Sequence, residues 1–378
     1  MRPWLGEEEA QAAAAAVASG WVAQGPRVAQ FEAAFAEALG AAHAVAVSSC
    51  TTALHLALLV AGIGPGDEVV VPSLSFIATA NAARYAEAQP VFADVDPATL
   101  NVVPETIEPQ LTDRTRAVIA VDQAGVPADL DAIRALCEPR GIAVIEDAAC
   151  AAGAVYRGRP AGATASLATF SFHPRKLLTT GEGGMIVTPD ADVAARLRRL
   201  REHGMNVGAA ERHASQQPVI ERYLEVGYNY RMTDVQAAIG LVQLAKLGRQ
   251  IERRRELAAR YQELLASIPG LVTIRDPVYG ATNYQSFWVL LPDGFPVSRD
   301  DLLRMLAEAG ISARRGIMAA HLEPAYAGQP GPPLPVTERI TAGSLVLPLF
   351  HEMTEQEQDL VMSVIHAAAG LRQPVTSV

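Results

Sequence analysis

Through the first two-thirds of the chain, short apolar runs alternate with segments of helical period, and few architectures can use that pattern. Runs at 44–47, 68–71, 91–93, 117–121, 143–146, 168–172 and 185–187 read as strands. Helix-like segments lie between them, at 53–60, 77–85 and 129–138 among others. Strands separated by helices predict an α/β fold with a mostly parallel central sheet. Gly62 and Gly64 can end the first of these helices, and Pro65-Gly66-Asp67 reads as the turn into the next strand. At 205–223 the periodicity gives way to a polar stretch, expected to be a loop. Helix resumes near 235 and runs through 260. From about 247 onward, helices mix with strands such as 286–291, which predicts a smaller α+β domain. The expected division is a large domain over 1–246 and a small one over 247–378. A length of 378 residues, half of them hydrophobic, supports both.

A formal charge of -10, from 31 basic and 41 acidic residues, argues against a nucleic-acid-binding face. Cys50, Cys137 and Cys150 have no zinc-ligand spacing, so no metal site is expected, and so sparse a set fits a reducing compartment. Glu7-Glu8-Glu9 breaks any signal-peptide pattern, and no apolar run approaches the roughly 20 residues that cross a bilayer. The expectation is a cytoplasmic protein without a membrane partner.

Three segments concentrate the chemistry. The run 142–147, Ile-Ala-Val-Ile-Glu-Asp, places an acid directly after a buried strand, at the edge where parallel sheets bind ligands. Asp147 there can meet a ligand, or simply cap a helix. The second segment, Thr169-Phe170-Ser171-Phe172-His173-Pro174-Arg175-Lys176, runs a strand into a turn that delivers a lysine, and the glycines of Thr180-Gly181-Glu182-Gly183-Gly184 follow. Placed near a bound cofactor, a lysine there is expected to have its pKa fall toward the neutral amine that Schiff-base chemistry needs. In the third, Ser48-Ser49-Cys50-Thr51-Thr52, small hydroxyl residues open a helix whose free N–H groups suit an anion. Each segment alone has an ordinary structural explanation.

In this order and spacing, the three resemble the DegT/StrS-like sugar aminotransferases, a group of fold type I enzymes that use pyridoxal 5'-phosphate (PLP). The similarity runs from about 23 to about 350. It includes Gly64-Pro65-Gly66-Asp67-Glu68-Val69, Pro90-Val91-Phe92-Ala93-Asp94-Val95, Glu146-Asp147-Ala148-Ala149 and Gly227-Tyr228-Asn229-Tyr230-Arg231-Met232. The resemblance implies that Lys176 joins PLP covalently and that Asp147 pairs with the ring nitrogen, with the pyridoxamine form of the cofactor completing the cycle. It implies a phosphate cradle from Ser49, Cys50, Thr51 and Ser171, and a ring-stacking role for Phe76. Asn229 would reach the phosphate of a neighbouring subunit, which implies a homodimer with shared sites. His321, with Tyr230 and Arg231, would contact the acceptor. The implied reaction moves an amino group from an amino acid, expected to be glutamate, to the keto group of a nucleotide-linked deoxysugar. A free cyclitol or other ketone is the alternative acceptor.

Three positions depart from the family pattern. Cys150 stands where glutamine or histidine is common, Asp122 replaces a frequent histidine, and Cys50 replaces a glycine. A sugar dehydratase of this fold would carry histidine at 176. A nicotinamide enzyme would need a GxGxxG order that Gly62, Gly64 and Gly66 lack. A non-catalytic sensor would have little reason to keep both Lys176 and Asp147.

Overall fold

The computed structural model describes residues 3–208 and 217–371. Seven strands form the main sheet: β1 (His43–Val47), β2 (Glu68–Pro72), β3 (Gln89–Ala93), β4 (Thr115–Val121), β5 (Ala143–Asp147), β6 (Leu167–Ser171) and β7 (Gly184–Thr188). Their spatial order is β1-β7-β6-β5-β4-β2-β3. All neighbouring pairs are parallel except those made by β7, which runs antiparallel to both β1 and β6. The expected strands are all present and the expected mostly parallel sheet is found, with this one reversed strand.

Side chains alternate across the sheet as a pleated strand requires. Along β1, Ala44 and Ala46 join one apolar cluster while Val45 and Val47 join another. The first cluster includes Phe31 and Phe35 of helix α1 (Pro26–Leu39), whose rings pack at 5.0–5.5 Å on Phe170 and Phe172. The second is filled by Leu54, Ala57 and Leu58 of helix α2 (Cys50–Val60). Helices thus cover both faces, and the polar ends of β4, β5 and β6 emerge together on one edge.

A second sheet, antiparallel throughout, joins Val272–Thr273, Phe287–Leu290, Ser344–Leu347 and Arg314–Arg315 in that spatial order. The expected helix near 235–260 is a single helix, Asp234–Leu265, which passes position 247 unbroken. Thr233 opens it: its hydroxyl accepts from Gln236 N, and the Gln236 side chain accepts from Thr233 N at 2.9 Å. The expected loop at 205–223 is pinned at its base by a bridge between Met205 and Tyr223, and its middle, 209–216, lies outside the described residues.

Candidate active site

Register brings the acid and the lysine to the same edge. Asp147 ends β5 beside Val121 of β4 and Thr169 of β6, and the chain leaving β6 turns back within five residues to present Lys176. That turn is tightly held. Lys176 N donates to His173 O at 2.8 Å, Thr180 N donates to Phe172 O at 3.0 Å, and Leu177 N donates to the Gln285 side chain at 3.0 Å. Gly181, at φ +85°, takes the left-handed conformation that closes it.

The Asp147 carboxylate is buried, 4 % exposed, and both oxygens are engaged. Oδ2 accepts from the Thr79 hydroxyl at 3.0 Å, Oδ1 from Ala149 N at 3.2 Å, and Cys50 Sγ lies 3.9 Å from Oδ1. Burial pushes its pKa up; the Ala149 N–H, Lys176, Thr79 and Cys50 pull back without reversing that direction. A carboxylate in this position gains by holding a buried cation.

Lys176 Nζ donates to Cys150 Sγ at 3.0 Å. Burial works to lower the lysine's pKa, yet Cys150 foremost, with Cys50 and Asp147, outweighs it and the net direction is upward. The sulfur facing the amine favours the ammonium form. Lys176 is one of only two lysines in the chain. The other, Lys246, is committed to Glu8 at 2.7 Å and Glu9 at 2.8 Å.

Helix α2 begins beside this pair. The Ser49 hydroxyl accepts from Thr52 N at 3.2 Å and Ser49 O from Ala53 N at 3.0 Å, so Cys50 and Thr51 hold the unspent donors of the first turn. Cys50 Sγ lies 3.8 Å from the Thr169 hydroxyl, which ties the helix start to β6. Gly184 permits the arrangement, because a Cβ there would meet the Ser49 carbonyl carbon at 2.5 Å and Cys50 N at 2.7 Å. Ser171, nearly buried at the end of β6, shares the face of Thr169.

Other expected site residues are distributed unevenly. Phe76, in the segment after β2, leaves its ring 64 % exposed and open to a stacking partner. His321 stands over the end of the same strand, with Nδ1 2.6 Å from the Ser73 hydroxyl and Nε2 3.4 Å from Glu338. Tyr230 and Arg231 have partners within the chain, and Tyr230 O accepts from Ser48 N at 2.8 Å beside the helix start. The Tyr230 hydroxyl lies 3.2 Å from His55 Nδ1 within a cluster that includes Tyr228, and Arg231 faces the buried Glu202 at 3.8 Å. Asn229 is exposed and bridges to Glu202 by backbone. Arg314 lies within electrostatic reach of Arg175 and Cys150; burial and Arg175 lower its pKa against the pull of Cys150.

Sequence reasoning missed two supports. Thr79 carries no motif, and only its place as the second residue of the helix Ala78–Tyr85 aims it at Asp147. Glu146 and Asp122 form a buried pair behind the site. Each gives one oxygen to a backbone N–H, Gly162 at 2.9 Å and Ala128 at 2.8 Å, and their remaining oxygens find no donor but each other. Burial, then Glu146, pushes Asp122 well up, and burial takes Glu146 to about 7.

An enclosed amine, a buried carboxylate in need of a cation and an open helix start together suit the aldehyde, ring nitrogen and phosphate of PLP. Fold and site define a fold type I PLP-dependent enzyme. The chain belongs to the DegT/DnrJ/EryC1/StrS aminotransferase family, whose model matches residues 3–366, and it is a PLP-dependent aminotransferase. Similar solved structures include the aminotransferase TlmJ from Streptoalloteichus hindustanus, at 37% identity over 98% of both chains with a TM-score of 0.89. DesV of S. venezuelae is 37% identical over 97% of this chain and 95% of its own, with a TM-score of 0.88. PseC of Helicobacter pylori, an aminotransferase involved in pseudoaminic acid biosynthesis, is 25% identical over 98% of both chains, with a TM-score of 0.90.

Proposed function

We propose that this enzyme moves the amino group of an amino acid, with glutamate as the donor, to the keto group of a nucleotide-linked deoxysugar, and that Lys176 and Asp147 are its working pair. The observation that carries the reading is the meeting of a lysine amine and a buried, cation-seeking carboxylate on one sheet edge, beside a helix start with unspent donors. When bound, PLP supplies an electron sink that lets the donor's Cα–H bond ionise.

The chain's own groups do the rest. Asp147, steadied by Thr79 and Ala149, keeps a proton on the ring nitrogen by offering it a negative partner. Lys176 would hold the cofactor and, with its amine free, would carry a proton to and from the donor carbon as base and then acid. The N–H groups of Cys50 and Thr51, with the hydroxyls of Ser49 and Ser171, bind phosphate. Phe76 covers one ring face and excludes water there. Cys150 takes the place of a stronger hydrogen-bonding side chain, and its contact with Lys176 makes it a neighbour of the reacting centre.

The acceptor reading rests on resemblance to sugar aminotransferases and on two features of the edge. His321 is held by Ser73 and Glu338 where an acceptor enters, and the cationic Arg175 and Arg314 suit a nucleotide's phosphates. With Arg231 paired to Glu202, these two arginines are the better placed cations. Asn229, exposed beside Tyr223, Leu224 and Val226, is read as serving the site of a second copy in a homodimer. Residues 1–246 are read as the PLP-binding domain and 247–378 as the small domain, since the main sheet ends by Thr188 and the second begins at Val272. Among the described residues no helix is long and apolar enough to cross a membrane; a cytoplasmic setting is part of the proposal.

Lys176→Ala tests the reading. The variant should fold, fail to develop the yellow absorbance of lysine-bound PLP, and lose turnover of the pyridoxamine form with nucleotide-keto-sugars and with cyclitol ketones alike. Undiminished transaminase activity in that variant would refute it.

A further inference from the structure

We propose that Cys150 and Lys176 form a peroxide-sensitive pair, in which the oxidised thiol condenses with the lysine amine to give a sulfenamide that closes the site to its cofactor. The two atoms that would bond are already in contact, Nζ to Sγ at 3.0 Å. The backbone holding the sulfur is fixed, since Cys150 O accepts from the Asn283 side chain at 2.8 Å and Ala151 N donates to Ala148 O at 2.9 Å. The sulfur therefore stays against the amine.

Two thiols act on this lysine, and only one is fit to react. Cys50 is buried between Asp147 and Thr169, and burial together with the Asp147 charge pushes its pKa well up, so it stays an inert thiol. Cys150 is only partly buried, within reach of a small oxidant. Hydrogen peroxide is the co-reactant. The Cys150 sulfur attacks one peroxide oxygen, the O–O bond breaks, and the sulfur becomes a sulfenic acid while the other oxygen leaves as water with the thiol's proton.

The amine is released by the same event. Cys150 is the largest of the influences that raise the lysine's pKa, and burial opposes them. With the sulfur oxidised, that influence is gone and burial favours the neutral amine, whose proton passes to solvent. The amine then displaces hydroxide from the sulfenic sulfur, forming S–N and releasing a second water. In total, one thiol, one amine and one peroxide give one sulfenamide and two waters. Two equivalents of a small thiol restore both side chains and leave as a disulfide.

A bridged Lys176 cannot take PLP, and a Lys176 engaged by PLP cannot bridge. The protection rests on the proposed role of Lys176; the bridge itself rests on the contact alone. The test treats the full chain with hydrogen peroxide, with and without saturating PLP, followed by peptide mapping by mass spectrometry. Without PLP, the peptides of Cys150 and Lys176 should be joined, two hydrogens lighter than their sum, and dithiothreitol should separate them and restore the absorbance that develops on adding PLP. Cys150→Ser should give no such species. Recovery of Cys150 as sulfinic or sulfonic acid, or as a disulfide with Cys50, with Lys176 free, would overturn the inference. Equal bridging with and without PLP would leave the bridge standing and overturn the closing of the site, and with it the assignment of Lys176 as the cofactor's lysine.

Discussion

Asp147 lies in front of two further buried acids, and its charge is one of the influences that raise them. Glu146 and Asp122 face each other in the same buried layer, each with one oxygen satisfied by backbone and one left over. A single proton shared between the leftover oxygens satisfies both and keeps the local charge low. The sign of the resulting pH dependence follows from linkage. Glu146 is pushed up to about 7 from its ordinary range, so between roughly pH 4.5 and 7 the folded chain holds a proton that the unfolded chain has lost. The pair's contribution is therefore complete at low pH and is lost as pH rises through that window. Glu146→Gln, whose amide can donate to Asp122, should remove Glu146's share of the loss. The drop in thermal midpoint between pH 5 and pH 8 should be smaller in the variant than in the parent. Superimposable profiles would mean that the pair holds no proton. The motif Glu-Asp-Ala-Ala marked Asp147, whereas the partnership of Glu146 with Asp122, 24 positions earlier in the chain, becomes visible only once β4 and β5 are aligned.

Among the elements, strands were the most legible, because buried strands declare themselves by unbroken apolar runs; all seven were present, with ends shifted by up to two residues. The reversed direction of β7 was not legible: an apolar strand reads alike in either sense, and its direction is set by the tight turn that also carries Lys176. The helix start at 49–52 was readable from its hydroxyl residues. Its close seat against β7 was not, since that depends on Gly184 lacking a side chain. Gly184→Ala makes the dependence measurable. The new methyl meets backbone that cannot rotate away, which should cost ~1–3 kcal/mol in urea unfolding and weaken PLP binding as the first turn is displaced. A variant as stable as the parent, with unchanged PLP affinity, would show that the seat has slack.

Taken as a whole, the chain keeps its lysine, acid and helix start on one sheet edge, and Asn229 lies exposed. If Asn229 serves a second copy, Lys176→Ala and Asn229→Ala carry lesions in different halves of each shared site. Mixing the two under exchange should regenerate activity, because one site of the mixed dimer has both residues intact. No recovery, in a mixture shown by mass to contain the heterodimer, would place Asn229 in its own chain's site or in none. The resemblance implied Tyr230 and Arg231 as acceptor contacts, but their engagement with His55 and Glu202 depends on residues far off in sequence.

The most direct test of the central claim uses the scarcity of lysine. Borohydride reduction of the PLP-loaded protein fixes the cofactor to whichever amine holds it, and peptide mapping then locates the added group. The account predicts one phosphopyridoxyl group per chain, on Lys176. Its appearance on Lys246, or no fixed group in a protein that still transaminates, would contradict it.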